Sequence, residues 1–329
     1  MVAEIDSFRD NQHYFAVDGT PVFLLGATHE NRWYPVSEVD HDYHNGLRRL
    51  HRVVSDVDSP HVRGFVRLLP YSVTGGTRAL QPWDFDPVDE TFDLETFDPR
   101  WEERLSSFLD IAADLDIIVS LEVWDDWSVT RGSGGSYDPG PDAAWNAHPF
   151  NPANNRNYDT LSTETATCDA PFYSTVSPSG DKSAVLDCQQ TYVDHLLALT
   201  EGYENILYSL SNESSAPLAW STYWAEYVGS RLEADRFVGD MPSTDEAGDG
   251  QCDPELAPPT LIADDRYDFV DISQAVSSHG FTGDPAMESL MAGRQIADHY
   301  EVQADNGVTK PLVVSKDYAN ERPHAVSVI

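Results

Sequence analysis

At 329 residues and 40% apolar content, the chain can bury a large single core of the size β/α barrels reach. Asp and Glu number 56 against 20 Lys and Arg, and the resulting charge of −36 opposes binding to nucleic acid or an anionic membrane, which carry the same sign. The acids run through every segment, as in Asp40-His-Asp and Asp84-Phe-Asp, which excludes an acidic tail and fits a halophilic protein whose self-repulsion concentrated salt screens.

Short apolar runs alternate with amphipathic stretches, the pattern of a parallel sheet with crossover helices. Tyr14 to Gly26 reads as a hairpin turning at Asp18-Gly19 and running into a first core strand. A helix is expected over Tyr43–Val54 and a second strand over His61–Leu69. Asp98-Pro99 opens a helix with Trp101, Leu105, Phe108, Leu109 and Ala112 on its apolar face. Ile117-Ile-Val-Ser-Leu-Glu-Val-Trp is a third strand, buried on both faces. Residues from about 128 to 180 are rich in Gly, Pro, Ser, Asn and Asp, as expected of a functional loop insertion. After a helix over Leu186–Leu199, a fourth strand, Ile206–Leu210, precedes a helix carrying Trp220, Tyr223, Trp224 and Tyr227. Arg236–Met241 and Tyr267–Gln274 read as strands five and six. The helix Pro285–Tyr300 leads to a seventh strand in Lys310–Tyr318. The expected architecture is one (β/α)8 TIM-barrel domain over 1–329. Either His324–Ile329 forms the eighth strand or part of the last β/α unit is missing, and the short remainder favours truncation.

Roughly 18 consecutive apolar residues, the length of a membrane span, occur nowhere, and Met1-Val-Ala-Glu-Ile-Asp lacks the basic and apolar regions of a signal peptide. The chain as given is expected to be soluble and cytoplasmic, or secreted if its N-terminus is incomplete. Cys168, Cys188 and Cys252 have no metal-ligand spacing, though a Cys168–Cys188 bond would close a polar loop. Gly75-Gly76-Thr77 and Gly132-Ser-Gly-Gly lack the lysine and helix of a phosphate loop. No metal and no cofactor is expected.

The chemistry concentrates at strand ends. Asn212-Glu213 terminates strand four, where a barrel gathers its catalytic groups. The alternative is that Asn212 or Ser214 caps the helix starting near Leu218, with Glu213 merely solvated. Glu122, among Leu, Val and Trp at the end of strand three, must either shift its pKa for acid/base work or pair with a cation, and Arg67 on strand two is at hand. Asp125 and Asp126 follow it, one expected to face the cleft and the other solvent. His29, after strand one, has no second His four residues on and so reads as a rim group rather than a zinc ligand. The run from His148 to Tyr158 supplies amides, among them Asn154 and Asn155, that suit sugar hydroxyls and equally suit turns. Trp33, Trp124, Trp127 and Trp145 are candidate platforms for sugar rings.

Tyr14-Phe, Gly19-Thr-Pro-Val-Phe-Leu, Val66-Arg67, Leu121-Glu-Val-Trp-Asp125, His148-Pro-Phe-Asn-Pro-Ala-Asn-Asn155, Asn212-Glu213, Trp220 with Tyr223-Trp224, Tyr267-Asp-Phe-Val-Asp-Ile-Ser-Gln274 and Lys310-Pro with Lys316-Asp-Tyr318 follow one another over nearly the whole chain. Together they resemble the clan A glycoside hydrolases, and more closely a group of cellulase-like hydrolases that is largely uncharacterised. The resemblance implies a glycosidase acting on an oligo- or polysaccharide, with Glu213 as general acid/base, Asn212 touching the sugar 2-hydroxyl and Arg67 as the clan's strand-two arginine. It also implies a nucleophilic glutamate ending strand seven, where this chain has Ser315-Lys316-Asp317. The second carboxylate is therefore expected to be Glu122 first, then Asp317, with Asp125 behind them. Gln274, Lys316 and Tyr318 join the expected sugar contacts, and Lys316 beside Arg67 could hold an anionic sugar. The competing expectation is a carbohydrate-binding barrel without catalysis.

Overall fold

The computed structural model describes residues 5–26, 43–71, 81–130, 144–158, 172–173, 175–176, 183–233, 236–243, 253, 255–277 and 285–315. The chain opens with β1 (Ile5–Ser7), β2 (Phe15–Val17) and β3 (Thr20–Gly26), the last two joined by the expected turn. Asp18 and Gly19 both take left-handed backbone, at φ 51° and 72°, as a two-residue hairpin of this twist requires.

Helix α1 (Tyr43–Val57) leads to β4 (Val62–Leu68), and the antiparallel pair β5 (Trp83–Asp86) and β6 (Thr91–Phe97) precedes α2 (Pro99–Asp114). Asp98 caps α2 by accepting from the Arg100 amide at 2.9 Å. Then come β7 (Ile117–Trp124), α3 (Asp126–Thr130), α4 (Ser183–Thr200), β8 (Ile206–Ser211), α5 (Leu218–Gly229) and β9 (Phe237–Asp240). The last elements are α6 (Pro258–Ala263), β10 (Phe269–Asp271), α7 (Ser273–Ser277), α8 (Pro285–Asn306) and β11 (Leu312–Val313).

One sheet runs β1-β2-β3-β4-β7-β8-β9-β10-β11, parallel from β3 onward. These seven parallel strands are the seven expected from sequence, and the fold is a β/α barrel. Among the described residues no pairing joins β11 to β3, and the expected strand His324–Ile329 lies outside them.

Strand alternation divides the core in two. Leu24, Phe65, Ile118, Leu207, Phe237, Phe269 and Val313, one from each parallel strand, form a single buried cluster. Phe15 and Val17 of the N-terminal hairpin plug it from below, with the Phe15 ring edge-on to Phe237 at 5.2 Å and to Phe269 at 6.0 Å. The alternate residues, such as Val66, Val119, Tyr208, Val238 and Val270, pack outward with the helices. Gly239 lies inside, where an added Cβ would meet the Phe269 ring at 2.6 Å.

Strand six is shorter than expected. After Asp271 the chain turns into α7, because the Asp271 carboxylate accepts the Ser273 amide at 2.9 Å and diverts the backbone from the ladder. No helix among the described residues is long and apolar enough to cross a membrane. Cys188 is a buried free thiol, pushed up to about 12 by burial, while Cys168 and Cys252 lie outside the described residues.

Candidate active site

The apolar interior ends one residue pair below the strand tips, and polar side chains take over. Arg67, two residues beyond Phe65, donates through Nε at 2.7 Å and through Nη2 to Glu122 Oε1. Glu122 is 0% exposed, and its place is the paired alternative: its charge is held by the guanidinium. Arg67 Nη2 also donates to Asn212 Oδ1 at 2.8 Å, and Asn212 Nδ2 donates to Asp125 Oδ1 at 3.0 Å. Ser128 Oγ donates to the other Asp125 oxygen. The amide of Asn212 is thereby fixed at both ends, and the tips of β4, β7 and β8 are tied together by one chain of charge-assisted bonds.

Glu213 follows at φ 54°, a left-handed conformation that costs a non-glycine residue roughly 1–2 kcal/mol. It is 8% exposed and so is buried at the strand end rather than solvated. The helix-cap alternative does not hold. Pro217 occupies the cap of α5 without a side-chain bond, and the Leu218 amide goes to Asp253 Oδ2 at 3.1 Å. Ser215 is instead clamped to α3, its amide and hydroxyl reaching Asp126 Oδ2 at 3.0 and 2.6 Å.

Other expected sugar contacts fall elsewhere. Trp124 is buried, edge-on to Phe172 at 5.3 Å and to Trp224 at 5.2 Å, and so serves as core rather than as a stacking face. His148 is fully buried, stacked on Trp145 at 5.3 Å; Nδ1 accepts the Phe150 amide at 3.1 Å, and burial drives its pKa down to about 3. Asn154 Nδ2 donates to the carbonyls of Asn146 (2.8 Å) and His148 (3.0 Å), and Asn155 Nδ2 to those of Pro149 and Asn151 (3.1 Å each). The amide-rich run folds on itself, as the turn reading had it.

This run docks on β6 through a bridge between Phe92 and Asn155 and an Arg156–Asp93 ion pair at 2.5 Å. Burial opposes the Asp93 charge, yet bonds from Arg156, Asn157, the Glu95 amide and Thr96 bring its pKa to about 2. Gln274 is half-buried on α7, and Trp127 lies in α3 with its side chain outside the described residues. His29, Trp33, Lys316, Asp317 and Tyr318 also lie outside them.

Two carboxylates went unnoticed in the sequence. Asp240 ends β9 and accepts from the Ser211 and Met241 amides, while Asp271 ends β10 and accepts from Ser273 and from the Ser315 hydroxyl. Each closes an apolar strand run, the signal that drew attention to Asn212-Glu213.

No protein-family model matches this chain, and no curated protein sequence does. Solved structures do. An endo-1,4-beta-mannanase from Rhizomucor miehei matches at TM-score 0.55 and 15% identity, over 95% of this chain and 81% of that one. A glycoside hydrolase family 5 mannosidase from the same organism matches at TM-score 0.55 and 13% identity, over 94% and 72%. The chain thus shares the fold of these two solved structures.

Proposed function

We propose that this chain is a glycoside hydrolase that cleaves O-glycosidic bonds in an oligo- or polysaccharide, with Glu213 as general acid/base. The observation that carries the reading is the placement of Glu213: directly after barrel strand four, shielded from water, in strained backbone, behind an asparagine locked by Arg67 and Asp125. Strain of this kind persists where the surroundings over-determine it, as at functional sites.

Glu122, spoken for by Arg67, leaves the second carboxylate role to Asp317, and the distance between the two working carboxyls would decide retention or inversion. Mannan is the first substrate to try, since both similar proteins are named for mannose linkages. In Glu213→Gln, sugar release from mannan or carboxymethylcellulose in molar KCl should fall at least about a hundredfold. A much smaller loss refutes the assignment, and glycan binding without turnover by the parent chain selects a non-catalytic binding barrel.

A further inference from the structure

The ladder between β8 and β9 ends at Ser209 and Gly239, yet two of the residues that follow, Ser211 and Ser214, stay bound to the tip of β9. Asp240 makes this happen. Val238 packs outward, so Asp240, two residues on, also leaves the barrel interior and faces α5, fully buried. Its Oδ1 accepts the Ser211 amide at 3.0 Å and the Met241 amide at 2.9 Å. Its Oδ2 accepts from Ser221 Oγ on α5 at 2.6 Å, and that hydroxyl meets Tyr267 OH at 2.8 Å. Met241, held in this way, accepts the Ser214 amide on its carbonyl at 2.7 Å, and the Ser214 carbonyl takes the Ser243 amide at 2.7 Å.

Asn212-Glu213 is therefore bracketed. The residue before it hangs on the Asp240 carboxylate, and the residue after it hangs on the carbonyl next to Asp240. A non-glycine residue at φ 54° is kept there by its surroundings, and the Asp240 carboxylate fixes the preceding flank directly and braces the following one through Met241.

We infer that Asp240 is the positioning residue that holds Glu213 in its working conformation, a role that rests on reading Glu213 as the general acid/base. Asp240 touches no substrate; it supplies the acceptors that the ended ladder no longer provides. An asparagine can do the same. Its oxygen would accept both amides, and its NH2 would donate to Ser221 Oγ, whose bond to Tyr267 can run in either direction. Alanine can do neither.

The test compares Asp240→Ala and Asp240→Asn with the parent, reading hydrogen exchange over residues 208–214 and mannan hydrolysis, with Glu213→Gln alongside. D240A should lose at least tenfold of its amide protection there and at least tenfold in kcat, with KM within twofold, and D240N should restore both. Unchanged protection in D240A, or equal loss in the two variants, overturns the inference. If D240A does not fold, D240N decides alone: retained protection and kcat support the role, and loss of protection refutes it. Full activity of Glu213→Gln would sink the assignment of the acid/base while leaving the exchange result to judge the bracket.

Discussion

Asp240 also predicts how stability should depend on pH. Burial raises its pKa from the ordinary 3.8 to about 7, with the three hydrogen bonds and the nearby Glu122 charge as smaller influences. The folded chain thus keeps a proton that the unfolded chain releases, so stability is lost as pH rises from about 4 to about 7 and is level above that. At 1.36 kcal/mol per pH unit, the loss is about 1.5 kcal/mol at pH 5 and about 4 kcal/mol at pH 8. Asp240→Asn removes this one titration and leaves every other acid in place, so the difference between the two proteins isolates it. The advantage of D240N should widen by about 2.5 kcal/mol from pH 5 to pH 8, or about 4 °C in melting temperature for a chain of this size. Thermal melts by circular dichroism in molar KCl, at half-unit steps, would measure it. Melting curves that stay parallel across the range would refute the buried-acid reasoning.

Two further changes probe the interior. Gly239→Ala forces a methyl group against the Phe269 ring and should destabilise by about 1–3 kcal/mol in urea unfolding, whereas an unchanged midpoint would mean that the ring moves freely. Arg67→Met strands the buried Glu122 charge and should cost about 3–5 kcal/mol, with much of it recovered in Arg67→Met/Glu122→Leu. A double variant no better than the single would show that the guanidinium acts mainly through Asn212.

The seven parallel strands could be read from sequence because each is a short apolar run closed by a polar residue, and the hairpin because Asp-Gly admits two left-handed residues. The β5–β6 pair is hard to read although Trp83, Phe85, Phe92 and Leu94 alternate, since Asp and Glu fill its outward face and mask the pattern. At the site, the sequence could name Arg67, Glu122, Asp125 and Asn212 but not connect them. Which carboxylate meets which cation depends on strand register: Arg67 lies opposite Ser120 on β7, and its reach up the strand to Glu122 is a matter of side-chain length. Trp124 is misleading for a related reason. An aromatic at a strand end can face the cleft or the helices, and only the packed rings of Phe172, Trp220 and Trp224 decide it.

The acidic residues divide into two populations with different physics. Exposed ones such as Asp84, Asp89 and Glu90 set the charge of −36, and their mutual repulsion weakens with salt over a few ångströms. Asp125, Asp126, Asp240 and Asp271 are buried, and each accepts from a neighbouring backbone amide or side chain near a strand tip. A parallel ladder runs out of backbone acceptors at its end, and a carboxylate supplies them at a distance a carbonyl cannot span. Bonds of this second kind lie out of reach of solvent ions. Salt should therefore govern how firmly the whole chain stays folded, while the bracket around Glu213 keeps its geometry for as long as the barrel stands.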